Sequence, residues 1–330
     1  MKIVIGGSSS TGSSLLNQCL GRHRDVVIST ETSLYARPQL LTNWETNKAR
    51  IINWSKLKPL RSHGWHRENG VTIPHNSWGV TNEDIDRLVM QAVDFDSFTK
   101  SLEQSILMPN AGSLWVEKTP ANALMIPAWS KILRDTHFII MVRHPLEAIA
   151  SMIHRGYDTL YACGIFLLNT SFGLTTDSDN CIVVPYEEFL GSYKAITEDI
   201  ALSVGLDPVL FDWVTSTSDT KMDSWRYAED ELPQPVVHDR FLSLPSELQR
   251  EVLDLVSCLR IKESFHIAGR VAKYPDIASL AQATGYELAP VGGKVQIASY
   301  KTKLRNSLLK RTALKDPVNI FNTPFEIVLP

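Results

Sequence analysis

Residues 1–16 read MKIVIGGSSSTGSSLL. An apolar strand pattern over 2–6 runs into a turn of glycine and hydroxyl residues. Helical spacing follows over 12–22, with Leu15, Leu16, Cys19 and Leu20 on one face. A turn of this kind cradles an anion, because backbone N–H groups and the helix dipole point at the ligand. Gly7-Ser8-Ser9-Ser10-Thr11-Gly12-Ser13-Ser14 keeps the G-x-x-x-x-G spacing of a phosphate loop. Ser13 stands where a nucleotide triphosphatase has its lysine, and the stretch holds no Lys or Arg. The cation that Mg²⁺-dependent phosphoryl chemistry leans on is therefore missing. A tight turn with no ligand is the plain alternative.

Further strand patterns follow at 25–29, 114–117, 137–142 and 181–184, with helical patterns over 121–134, 145–155 and 188–204. Short, nearly unbroken apolar strands alternating with helices predict a P-loop-like α/β fold, a central parallel sheet flanked by helices on both faces. Ligands of such sheets collect at the carboxyl ends of the strands. The rhythm breaks over 42–100, a predicted inserted lid or acceptor-binding segment. Its first part, 42–80, holds Trp44, Trp54, Trp65 and Trp78, which stack on a ring or form a core. It also holds His63, His66 and His75, which lack a fourth zinc ligand, so no metal is expected. Residues 1–270 read as the α/β domain. Residues 271–330 read as a basic extension packed on it, with eight Lys/Arg against four Asp/Glu.

The 330 residues carry a net charge of −3, with 44% apolar and 21% charged residues, which describes a soluble globular chain and not a nucleic-acid binder. No apolar run is long enough to span a bilayer, and three apolar residues after Lys2 make no signal peptide. Cys19, Cys163, Cys181 and Cys258 have no metal-like spacing and read as reduced thiols of a cytoplasmic protein.

Three stretches beside the loop carry candidate chemistry. In FIIMVRHPLEAIAS, Arg143 ends a buried strand and Ser151 lies two turns into the next helix. A guanidinium there can clamp a phosphate in two-pronged fashion, or pair with a nearby carboxylate. In LWVEKTPANAL, Lys118 and Thr119 follow a strand. In CIVVPYEEFL, Tyr186 follows another, placed to flank an adenine or to pack.

Together the four stretches resemble the sulfotransferases that use 3′-phosphoadenosine 5′-phosphosulfate (PAPS), in particular a bacterial type related to carbohydrate and tyrosyl-protein sulfotransferases. GGSSSTGSSLL over 6–16 matches the family's 5′-phosphosulfate loop. Arg143, Pro145 and Ser151 match its R-x-P-x5-S element for the 3′-phosphate. Glu117–Pro120 and Tyr186–Glu188 match recurring EKTP and Y-E-[ED] segments. The resemblance covers about 1–205, the insertion apart. It departs at Ser10, where the family has a basic residue.

The resemblance implies the sulfotransferase fold and transfer of a sulfuryl group from PAPS to a hydroxyl or amine of a small-molecule or glycan acceptor. The product nucleotide is 3′,5′-adenosine bisphosphate (PAP), and no metal, nucleic acid or membrane span is involved. Glu31, about twenty residues past the loop, falls where the family has a catalytic glutamate. Lys118 is the replacement for the loop's absent cation, with Arg37 in reserve. Gly7, Ser8, Ser9, Ser10, Thr11, Gly12, Ser13 and Ser14, with Arg143, Ser151 and Tyr186, hold the donor. A PAP-binding protein without turnover and a degenerate P-loop kinase are the competing readings. The sequence does not name the acceptor or the oligomeric state.

Overall fold

The computed structural model describes residues 1–28, 31–32, 34–37, 40, 43–48, 80–213, 239–288 and 324–328. Five strands form one parallel sheet: β1 (Lys2–Gly7), β2 (Val26–Ile28), β3 (Leu114–Lys118), β4 (Thr136–Val142) and β5 (Cys181–Pro185). Their order is β2-β3-β1-β4-β5, with Ile5 beside both Lys118 and Ile139. The chain leaves β1 toward β2 and later crosses to β4. The order therefore reverses between β1 and β4, where such sheets open a crevice.

The unbroken apolar strands are explained by two cores. Ile3, Ile5, Val116, Ile139 and Met141 face one layer, made of α1 (Ser13–Leu20), α7 (Tyr186–Gly191) and α8 (Tyr193–Ser203). Val4, Trp115, Phe138, Ile140 and Val142 face the other. That layer contains α2 (Asn82–Gln91), α3 (Phe95–Leu107), α4 (Ile126–Ile132), α5 (Pro145–His154), α6 (Thr159–Gly173), α9 (Ser246–Cys258) and α10 (Ile277–Ala283). Alternate side chains on a strand point to opposite faces, so both parities are apolar.

Two expected helices are split. Residues 120–132 begin as a 3-10 turn, Pro120–Leu124, before α4 starts at Ile126. Pro127 explains the restart: with no N–H it fits the first turn of a helix and not its interior. The helix expected over 188–204 begins at Tyr186 and breaks at Ser192, whose φ of −143° and ψ of 34° are not helical, giving α7 and α8.

Of the tryptophan-rich segment, Trp44 lies in the core, stacked on Phe98 at 5.4 Å with Nε1 donating to the Ala92 carbonyl at 3.0 Å. Helices α2 and α3 supply Ile85, Val89, Phe95, Phe98, Leu102 and Ile106 to the same core. Trp54, Trp65, Trp78, His63, His66 and His75 lie outside the described residues, as does the basic run over 301–311. Near the end of the chain, β7 (Phe325–Ile327) pairs antiparallel with β6 (Leu259–Ile261). Among the described residues no helix is long and apolar enough to cross a membrane.

Candidate active site

The turn after β1 bends sharply at three residues with positive φ: Gly7 at 148°, Ser10 at 66° and Gly12 at 90°. Ser10 is the one of these with a Cβ, so it carries real backbone strain at the apex. Gly12 is both the cap of α1 and a close-contact point, since a Cβ there would lie 2.3 Å from Tyr186 Cδ2. A glycine cap offers no side-chain acceptor, and the first turn of α1 has no acidic residue. The first-turn N–H groups therefore face the turn with the positive end of the helix dipole. Inside the turn, Thr11 Oγ1 donates to the Ser8 carbonyl at 2.7 Å. Ser8, Thr11 and Ser13 are buried, and Ser9 and Ser14 half-buried.

The charge this turn lacks arrives from α5. Arg143, just before the helix, donates through Nη1 to the Ser10 carbonyl at 3.1 Å. Arg155, just after it, donates through Nη1 to Ser10 Oγ at 3.1 Å. Two guanidinium groups thus meet at the residue where the resembling family has its own cation. Arg155 was missed in the sequence because a lone arginine ending a helix reads as surface. The usable signal was its spacing: four residues after Ser151, it shares that half-buried serine's face of the helix. Arg155 also lies 5.5 Å from the centre of the Tyr157 ring, which stacks on Tyr161 at 5.6 Å.

Arg143 is held from several sides. Its guanidinium lies 4.5 Å from the centre of the Tyr186 ring. Its contact with Glu147 is loose at 3.9 Å. The Glu147 carboxylate already accepts the backbone N–H groups of Arg240 and Phe241, at 2.8 and 3.2 Å. Pairing with a carboxylate therefore does not absorb Arg143. Its buried Nε and the buried Ser8 Oγ find no hydrogen-bond partner among the described residues. Unpaired polar atoms on a turn residue and on the arginine that bonds its apex suit an oxyanion. Tyr186, at 8% exposure, is packed between Gly12 and Arg143. Beside it, Tyr286 donates to Glu187 Oε2 at 2.5 Å, and His144 Nε2 lies 2.9 Å from the Glu287 carbonyl. Burial and the Glu187 contact push the Tyr286 phenol up.

On the other side of β1, the structure joins the two residues picked out for chemistry. Lys118 Nζ donates to Glu31 Oε1 at 2.6 Å, across 87 residues of chain. The lysine side chain is 1% exposed and the glutamate 29%. Lys118 ends β3 opposite Ile5, two residues before Gly7, so the pair sits at the same strand edge as the turn. Its neighbour Glu117 is fully buried. Burial pushes that carboxyl up, and hydrogen bonds from Thr119, Thr32 and Asn122 hold it back. Arg37 is also buried, at 3% exposure. Among the described residues no group of His, Cys, Asp and Glu could hold a metal.

The described cysteines are free thiols. Burial pushes Cys19 and Cys181 up to about 12 and Cys258 to about 11, which keeps them inert.

The sheet and the helices on its two faces define an α/β protein with a central parallel sheet. The sulfotransferase family model matches residues 2–209, so the chain belongs to the sulfotransferase family. No curated protein matches it in sequence. Among solved structures it is similar to the sulfotransferase domain of the Synechococcus PCC 7002 olefin synthase, at 18% identity over 88% of this chain and 95% of that one, with a TM-score of 0.42. A sulfotransferase from Alicyclobacillus acidocaldarius gives 16%, 87%, 96% and 0.40 in the same order. Mouse sulfotransferase SULT7A1, complexed with PAP, gives 12%, 78%, 83% and 0.41.

Proposed function

We propose that the protein transfers the sulfuryl group of PAPS to a hydroxyl or amine of a small-molecule or glycan acceptor. The observation that carries this reading is the convergence of Arg143 and Arg155 on Ser10 of an otherwise uncharged turn. PAPS supplies the sulfuryl group and leaves as PAP. The turn from Gly7 to Ser14 and the start of α1 hold the 5′-phosphosulfate through N–H and hydroxyl donors. Arg143, Ser151 and Arg155 supply α5's share of the anion site, and Tyr186 supports Arg143 from below.

The Lys118–Glu31 pair performs the proton and charge work. Glu31 takes the proton of the attacking acceptor group. Before that step the pair is neutral; after it the pair carries one positive charge. Proton removal on the acceptor side thus releases the lysine's charge toward the leaving phosphate at the moment negative charge grows there. An interaction strengthened in the transition state lowers the barrier where equal binding of substrate would not. Lys118 has three N–H donors, and Glu31 occupies one of them.

Ligand-dependent melting tests the reading. PAP at a hundredfold excess over its dissociation constant stabilises by about 2.7 kcal/mol. ATP with Mg²⁺ gives a much smaller shift, because the turn has no triphosphatase lysine. Equal shifts would mean a kinase-type site. A PAP shift with no sulfate transfer from PAPS to any of a panel of sugars, phenols and alcohols would mean binding without turnover.

A further inference from the structure

Consecutive residues of β3 grip consecutive residues of the segment after β2. Lys118 holds Glu31 and Glu117 holds Thr32. We propose that Glu117 is a positioning residue: through Thr32 it fixes residues 31 and 32 at the end of β3, so that Glu31 stays on Lys118. The role given to Glu31 rests on the sulfotransferase reading above; the positioning itself does not.

The hydrogen bonds all run one way. Glu117 Oε1 accepts from Thr32 N at 3.0 Å, Thr32 Oγ1 at 2.7 Å and Thr119 Oγ1 at 2.7 Å. Oε2 accepts from Asn122 Nδ2 at 2.6 Å. Packing alone would place an apolar residue here, as at Trp115 and Val116, since a buried carboxyl is costly unless fully hydrogen-bonded. Four donors meet that need, and two of them belong to Thr32. The grip continues in both directions. Thr32 Oγ1 accepts from Leu34 N at 3.2 Å, which sets the chain's path into the buried turn Leu34–Ala36. Asn122 Nδ2 also donates to the Ile5 carbonyl at 3.1 Å, which ties the cluster to the strand feeding Gly7. Because neighbouring strand residues point to opposite faces, Glu117 and Lys118 hold the segment from two sides.

Acylation of lysines by acetic anhydride, read residue by residue by mass spectrometry, tests this without knowledge of the acceptor. The measure is the labelling of Lys118 relative to Lys100, whose side chain is 52% exposed. Thr32→Val and Glu117→Gln raise the ratio about tenfold, the worth of one charge-assisted hydrogen bond. Thr32→Ser, which keeps the hydroxyl, leaves it at the wild-type value. Thr119→Val also leaves it there, since that bond reaches Glu117 without touching 31–32. With any acceptor the wild type sulfates, Thr32→Val lowers kcat and leaves the KM for PAPS in place. Equal rises in all four variants would make Glu117 a general structural residue and overturn the proposal, as would no rise in Thr32→Val. If Glu117→Gln does not fold, the Thr32 pair decides. Wild-type protein that fails to bind PAP would instead sink the sulfotransferase reading, whatever the labelling shows.

Discussion

The β1–β4 side of the strand edge and the β2–β3 side are built by opposite means. On the first, the turn itself is neutral and strained, and its charge is delivered by Arg143 and Arg155 from the two ends of α5. On the second, the ionisable groups sit on the strand and its neighbour, buried and already matched: Lys118 to Glu31, and Glu117 to Thr32, Thr119 and Asn122. The difference separates two tasks. A site that binds an anion gathers positive charge around a neutral turn. A site that moves a proton keeps a paired charge whose balance changes during the reaction.

Three experiments sharpen that contrast. The largest effect belongs to Lys118→Met, which keeps the stem and removes the ammonium from a buried pair. Urea unfolding should show a loss of about 3 kcal/mol, at the low end for broken buried pairs because Glu31 is partly exposed. Turnover should fall by about 10²–10³, with PAP affinity nearly unchanged. A parallel loss of PAP affinity would merge the two sides into one site.

Next, calorimetry with PAP should rank the two arginines. Arg143→Ala costs about 2 kcal/mol or more, because its side chain is 11% exposed and meets the anion largely desolvated. Arg155→Ala costs about 1 kcal/mol, since it is exposed and screened. The reverse order would place the anion nearer the far end of α5.

The smallest effect is in pH. Burial holds the Glu117 carboxyl above its ordinary value of 4.5. Between that value and its folded-state pKa, the folded protein binds more protons than the unfolded chain. Stability therefore falls as pH rises through this window. Unfolding measured across it should show that slope in the wild type and a flatter line in Glu117→Gln. An unchanged slope would assign it to another group.

The strands were legible because each feeds two cores, which leaves unbroken apolar runs over 3–5 and 138–142. The sharp strand-to-helix turn was legible because Gly7 and Gly12 supply the positive φ it needs. The split at Pro127 was not read, although proline's missing N–H was there to see. Glu31 and Lys118 were each chosen on the family resemblance, and their contact across 87 residues is something a linear pattern does not express. Glu117 was hidden for a different reason. A carboxylate beside a lysine reads as a solvated strand end, and the donors that let it be buried come from Thr32 and Asn122. Arg155 was hidden by its exposure, which looks like that of any surface arginine.

The strand order also constrains how the molecule is made. The first strand of the described chain is the middle of the sheet, and both its partners, β3 and β4, come more than a hundred residues later. On a ribosome adding about 5–20 residues per second, the nascent β1 waits about ten seconds before either neighbour emerges. During that time KIVIGG has two unpaired edges and apolar side chains on both faces. The glycine–serine turn can take shape only afterwards, since Arg143, which holds its apex, follows β4. Translation speed up to β4, and chaperone access to the waiting strand, therefore bear on yield.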